Sequence, residues 1–251
     1  MTIRAIIFDL GHTLWDIGDS RDALERAYVQ MHATLCARLD RDDLPEPAAL
    51  QRAVYDVLVA SSKTYFSEGP NLDQPPSHVW IDRGCRALGI ELDEPLLREI
   101  TPPIFASERD ALTCGEGTLD AVRDLHARGY VLGCVTNTLA DTATIRAMLR
   151  DDGFEELMTS VVVSADEGWR KPHPSLFEKA LRETGVAPDD AVFVGDSPLH
   201  DIGGAKAVGM HAVLTQQYVA RPYEGFDPQP DAIISHLREL HDVINHLQLK
   251  T

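Results

Sequence analysis

Six side chains carry the chemistry this sequence can support: Asp9, Thr136, Asn137, Lys171, Asp196 and Asp201. Asp9 closes the apolar run Ile3 to Phe8, and Gly11 follows to turn the chain. Thr136-Asn137 closes the run Tyr130 to Val135, and Gly195-Asp196 closes Ala191 to Val194. Lys171 lies in the polar stretch EGWRKPHP, and Asp201 stands five residues after Asp196. Together they offer a nucleophilic carboxylate, a hydroxyl, a cation and an acidic pair. Phosphoryl transfer asks for such a set, because a carboxylate can attack phosphorus and form an aspartyl-phosphate. A lysine and a hydroxyl can hold the equatorial oxygens. Mg²⁺ takes a few carboxylate oxygens together with water and a substrate phosphate, which offsets repulsion between Asp9 and the anion.

Taken alone, each residue has a plainer role. Asp9 can cap or turn the chain, Thr136-Asn137 can cap a helix, and Lys171 in a polar loop is ordinarily solvated. Asp196 and Asp201 can be a turn former and a helix cap. The chemical reading gains from all of them falling, in order, at or just after the ends of strand-like runs.

Those runs are the elements that must position the residues. Ile3 to Phe8 is a short apolar run bounded by a turn residue, the pattern of a strand buried on both faces of a parallel sheet. Further strands are expected at Tyr130 to Val135, Ser160 to Ser164, Ala191 to Val194, His211 to Leu214 and Ala232 to Ile234. Helical spacing between them, as in Leu119 to Arg128, Pro174 to Thr184 and Asp201 to Val208, predicts an α/β fold with a doubly wound parallel sheet. In such sheets ligands bind outside the carboxyl ends of the strands, where Asp9, Thr136, Asn137 and Asp196 would stand.

Residues 16 to 112 have a different texture. Leu24, Tyr28, Met31, Leu35 and Leu39 recur at helical spacing, with Ser20 as a plausible N-cap. A second helix is expected from Pro47 to Phe66, and the prolines of GPNLDQPPS (Gly69 to Ser77) then force a break. Shorter helices are expected over Val79 to Leu88 and Pro95 to Ile100, the last stopping before Pro102-Pro103. No strand is expected anywhere in this stretch. It reads as an all-helical insertion, a second, smaller domain at 16–112, with the α/β domain formed by 1–15 and 113–251.

The 251 residues, 44% of them hydrophobic, can bury a sizeable core. The formal net charge of −17 repels phosphate backbones and anionic lipid, which argues against nucleic-acid or membrane partners. No apolar run reaches the length of a membrane span, and no signal-peptide pattern precedes the first strand. Cys36, Cys85, Cys114 and Cys134 show no CxxC spacing, so a reducing cytoplasm is expected rather than a disulfide framework. His236, His241 and His246 recur every five residues, which does not hold one helical face and reads as a solvated helix.

The stretches FDLGHTLW, VLGCVTN, GWRKPHPSLF and FVGDSPLHD resemble the four ordered motifs of the haloacid dehalogenase superfamily of hydrolases. The resemblance covers residues 1–15 and about 113–235. It implies a Rossmann-like core, a helical cap that closes over the site and selects the substrate, and a Mg²⁺-dependent phosphatase acting on a small phosphorylated metabolite. On the matching positions it makes Asp9 the nucleophile and Thr136, Asn137 and Lys171 the phosphate-binding set. Asp9, Asp196 and the Gly11 carbonyl become Mg²⁺ ligands, with Asp201 in or next to the metal shell.

One departure bears on mechanism. Phosphatases of that family carry a second Asp two positions after the nucleophile, as general acid and base, and here the position is Gly11. Loss of such a group typically removes ~10²–10⁴ in rate. His12 is adjacent and titrates in a suitable range, and the insertion offers His32 and His78. A leaving group that needs no proton would also serve, whether an acyl phosphate or, in a 2-haloacid dehalogenase, a halide. The third alternative is a phosphate-ligand binding or regulatory protein with weak turnover. A dinucleotide-binding reading is poor, since no GxGxxG follows the first strand.

Overall fold

The structure, a computed structural model, describes residues 2–65 and 72–249, with the side chains of 61–65 left aside. The eight strands among the described residues are β1 (Ala5–Phe8), β2 (Trp15–Ile17), β3 (Leu112–Cys114), β4 (Val131–Thr136), β5 (Met158–Val163), β6 (Ala191–Gly195), β7 (His211–Thr215) and β8 (Ala232–Ile234). Six of them form one sheet in the order β5-β4-β1-β6-β7-β8, and every pair in it is parallel. This is the doubly wound sheet expected from the alternating pattern.

β1 lies between β4 and β6, where the strand order changes direction. All four of its residues are fully buried, which is why they are apolar without alternation. Ile6 and Phe8 pack into one hydrophobic cluster with Met148, Leu149, Leu240 and Ile244. Ala5 and Ile7 pack into the other, with Leu176, Phe177 and Ala205. The two clusters are the two faces of the sheet. Burying each of the larger side chains is worth about 1.5–3 kcal/mol, so this central strand is well fixed.

Register then aligns the strand ends. Phe8 is level with Cys134 on one side and Val194 on the other. Asp9 therefore lies one residue past that level, and Thr136 and Asp196 lie two past it on the flanking strands. Adjacent strands are about 4.8 Å apart, so the three residues are delivered to one short stretch of sheet edge.

The stretch between β2 and β3 holds four helices, α1 (Arg21–Leu39), α2 (Pro47–Tyr65), α3 (Ser77–Ala87) and α4 (Glu94–Ala106). They share a core of Tyr28, Met31, Leu35, Leu50, Val54, Ile81, Leu97 and Ile100. A Cβ at Gly84 would lie 2.5 Å from Val54 Cγ2, so glycine is what lets α3 approach α2 so closely. The expected end of α2 at Phe66, and Gly69 to Asn71 of the break before α3, fall outside the described residues.

Ser20 stands at the N-cap of α1, as expected, although its side chain makes no capping bond. Two expectations for this stretch are corrected. α4 does not stop before Pro102-Pro103 but continues to Ala106. Ile104 and Phe105 beyond the prolines are buried, and their packing outweighs the backbone hydrogen bonds the prolines cannot donate. The stretch is also not free of strand. Asp16 and Ile17 extend β2, which pairs antiparallel with β3 through Trp15–Cys114 and Ile17–Leu112. The two connections of the helical stretch thus satisfy each other's backbone. Both are tied to one core carboxylate, Asp152, which accepts from Trp15 Nε1 at 2.7 Å and from Arg109 Nη2 at 2.6 Å.

No helix among the described residues is long and apolar enough to cross a membrane. The four cysteines are all free. His236 caps the short turn Leu237–Glu239, and His241 and His246 lie on the terminal helix Leu240–Leu249.

Candidate active site

Asp9 leaves β1 with its amide bonded to the Val194 carbonyl at 2.8 Å, so the neighbouring strand fixes the backbone under the carboxylate. Lys171 reaches the same point from the loop after β5. Its backbone is clamped by the Asn137 side chain, whose Oδ1 accepts from Lys171 N at 2.8 Å and whose Nδ2 donates to Lys171 O at 3.2 Å. The ammonium donates to Asp9 Oδ1 at 2.6 Å and to Asp201 Oδ1 at 2.7 Å. It also lies over the Phe193 ring, 5.4 Å from the centroid.

Asp201 is held by its own loop. Its Oδ2 accepts from Ser197 N at 2.9 Å, at the start of the helical turn Pro198–Gly203. Gly195 is required beneath it, because a Cβ there would overlap the Asp201 carboxylate. Asp196 accepts from Arg221 Nε at 2.6 Å, a residue of the loop between β7 and β8.

Three carboxylates are thereby gathered, with ligand oxygens of Asp9, Asp196 and Asp201 all within 4.8 Å of one another. All three residues are buried. Burial pushes the Asp9 carboxyl up to about 7; Lys171 opposes this, while Asp201 and Asp196 add to it. Asp196 is raised as well, by burial and by Asp201, against the pull of Arg221 and Lys171. For Lys171 burial works against the charge, but Asp201 and Asp9 outweigh it and hold the ammonium protonated. Three acids facing two cations leave the cluster one positive charge short. Hard, anionic oxygen donors at this spacing suit a divalent cation of the Mg²⁺ kind.

The cluster lies at one end of a cavity of about 360 Å³, lined also by Gly11, Thr136, Asn137, Ile17 and Glu108. A second chamber of about 380 Å³ adjoins it and shares Glu108, Asn137, Thr138 and His200 with it. Leu58 and Trp80 of the helical stretch line that outer chamber together with Arg170.

The structure brings together Asp9, Gly11, Thr136, Asn137, Lys171, Asp196 and Asp201. It does not bring His12 to them. His12 turns its Nδ1 toward Asp16 Oδ1 at 3.3 Å and is not among the cavity-lining residues. His32, which lies against Cys36, and His78 are likewise outside both chambers. Asn137 lines the cavity, but its amide is spent on the Lys171 backbone.

Sequence reasoning missed Glu108, His200 and Arg221. His200 had a usable signal, since it precedes Asp201 in the same motif; burial lowers its pKa and favours the neutral ring. Glu108 and Arg221 sit in stretches with no periodic pattern.

Residues 85–215 match the family model described as "Haloacid dehalogenase-like hydrolase", a span that includes Thr136, Lys171, Asp196 and Asp201. The chain is 36% identical to a glyceraldehyde 3-phosphate phosphatase of Pyrococcus furiosus, over 96% of this chain and 93% of the relative. Among solved structures, a 2-haloacid dehalogenase from Pseudomonas syringae superposes with a TM-score of 0.70 at 24% identity, covering 98% of this chain and all of that one. A phosphatase of the same superfamily from Thermococcus onnurineus gives 0.61, also at 24% identity, over 96% of this chain and 98% of that one.

Proposed function

Because this chain belongs to the haloacid dehalogenase-like hydrolases, we propose that it is a phosphatase of that family that hydrolyses a small phosphate ester through an aspartyl-phosphate on Asp9. The observation that carries the reading is the Lys171 bridge between Asp9 and Asp201, with Asp196 beside them, at the switch point of a parallel sheet. The Pyrococcus furiosus relative makes glyceraldehyde 3-phosphate the first ester to test.

Asp9 supplies the oxygen that attacks phosphorus. An ammonium has three donors and Lys171 has committed two, so the third remains for a phosphoryl oxygen. The Thr136 hydroxyl, which makes no hydrogen bond among the described residues, is placed to donate to another. Asn137 acts through Lys171 by fixing its backbone. Asp9, Asp196 and the Gly11 carbonyl would hold Mg²⁺, with Asp201 in or next to its shell; when bound, the ion supplies the missing positive charge beside the phosphoryl group. Residues 16–112 serve as the cap over the outer chamber, where Trp80, Leu58 and Arg170 meet the leaving group. The free cysteines are in keeping with a cytoplasmic setting.

The second reading is halide displacement from a 2-haloacid, favoured by Gly11, which offers no side chain for proton transfer. It gives no reason to keep the acidic pair Asp196 and Asp201 beside Asp9, whereas a Mg²⁺ site does. Turnover of 2-chloropropionate without metal, and none of any phosphate ester, would select it.

Mg²⁺ is expected to raise the melting temperature of the wild type. Saturation at a hundredfold excess over Kd is worth about 2.7 kcal/mol. Asp196→Asn removes a ligand and should lose most of that gain. Differential scanning fluorimetry over a Mg²⁺ titration reads both proteins, and an equal gain in the two would contradict the metal site.

A further inference from the structure

Gly11 leaves the site with a nucleophile and with cations but without a carboxylate to protonate the departing oxygen. Four acidic side chains line the inner cavity. Lys171 holds Asp9 and Asp201, and Arg221 holds Asp196. His200 has its Nδ1 at 3.2 Å from Ser197 Oγ. The fourth acid is Glu108, which makes no hydrogen bond or ion pair among the described residues.

The turn that carries it is held in place, although the Glu108 side chain is itself exposed and its carboxyl unengaged. Glu108 sits on the turn Ser107–Ala111, which joins α4 to β3. On one side of it Arg109 is tied to the core through Asp152; on the other, Asp110 is tied to α1 through Arg26 at 2.7 Å. The turn is therefore pinned to both halves of the molecule, and Glu108 approaches the cavity from that connection rather than from the sheet edge.

Glu108 also lines both chambers. A substrate with its phosphoryl group on Asp9 and its organic part in the outer chamber would place its scissile oxygen at that junction. The side chain is exposed on its solvent side, yet the protein around the carboxyl raises it above the ordinary range by desolvation. That direction keeps a proton in hand closer to neutrality.

We propose that Glu108 is the general acid and base of this enzyme, supplying from the insertion's connection the proton transfer that Gly11 cannot. The assignment rests on the phosphatase reading. In the first step Asp9 bonds to phosphorus, the ester P–O bond breaks, and the Glu108 carboxylic acid gives its proton to the leaving oxygen. In the second, the Glu108 carboxylate takes a proton from water as that water attacks phosphorus. The bond from phosphorus to Asp9 breaks, inorganic phosphate leaves, and Glu108 is protonated again.

The test compares wild type with Glu108→Gln on two substrates, 4-nitrophenyl phosphate and the alkyl phosphate that wild type turns over fastest. Nitrophenolate leaves without a proton and an alkoxide does not. Glu108→Gln should therefore lose ~10²–10⁴ in kcat/KM on the alkyl ester but under about tenfold on the aryl ester. Its melting temperature should be unchanged, and phosphorylated enzyme should accumulate. Adding Gly11→Asp to Glu108→Gln should restore alkyl-ester turnover. A Cβ at residue 11 meets only the tip of the exposed Ile17 side chain, at 2.9 Å, which can give way. An unchanged kcat/KM on the alkyl ester, or the same loss on both esters, overturns the assignment of Glu108. A wild type inactive on every phosphate ester removes the phosphatase reading, and Glu108 falls with it.

Discussion

Asp9→Asn is expected to lower turnover by at least ~10⁴-fold while the protein stays folded. The amide is nearly isosteric but is not a nucleophile, so the covalent step has no attacking group. Lys171 keeps Asp201 as a partner, and the cluster loses one of its three mutually repelling carboxylates. Burial raises Asp9 from 3.8 to about 7, so the folded state binds more protons than the unfolded state over that window. Stability attributable to this group therefore falls as pH rises through it. Asp9→Asn removes that loss and should melt no lower than wild type at pH 8 in the absence of divalent cations. Steady-state kinetics and thermal melts on the same preparations check both parts. A clear drop in melting temperature alongside the lost activity would mean that Asp9 serves the fold as much as the chemistry.

Lys171→Met should have the largest effect on stability. The ammonium is buried between Asp9 and Asp201, and removing it leaves two carboxylates facing each other without a cation. Breaking a buried pair in this way costs about 3–5 kcal/mol. For a chain of this size that is a fall in melting temperature of roughly 10 °C or more. Without Lys171 the Asp9 carboxyl is pushed further up, so the deficit should be smaller at pH 5, where it can be protonated, than at pH 8. A deficit independent of pH would show that lost packing, rather than uncompensated charge, is responsible. Turnover should be lost at either pH, since in the proposed mechanism the same ammonium holds the phosphoryl group.

The parallel sheet was legible because its strands are buried on both faces and therefore read as continuous apolar runs. Pro174 to Thr184 and Ala232 to Ile234 were found to the residue. The site was legible for the same reason, since Asp9, Thr136 and Asp196 are the first polar groups after such runs and register brings them level. The β2–β3 ribbon was not, because Trp15–Ile17 pairs with a segment about a hundred residues away and neither strand has a local signature. α4 passes through Pro102-Pro103 because tertiary burial of Ile104 and Phe105 overrides a local rule. The role of Asn137 as a clamp depends on the path of the Lys171 loop, which no spacing encodes. Glu108 and Arg221 reach the cavity from a connection and a loop, where proximity in space leaves no periodic trace.

The central claim is a phosphoryl group carried by Asp9. It is tested most directly by the intact mass of protein quenched in acid after brief exposure to acetyl phosphate with Mg²⁺. Wild type should show a fraction heavier by one phosphoryl group, Glu108→Gln a larger fraction, and Asp9→Asn none. A label that persists in Asp9→Asn, or steady turnover with no labelled enzyme at any quench time even in Glu108→Gln, would contradict the account.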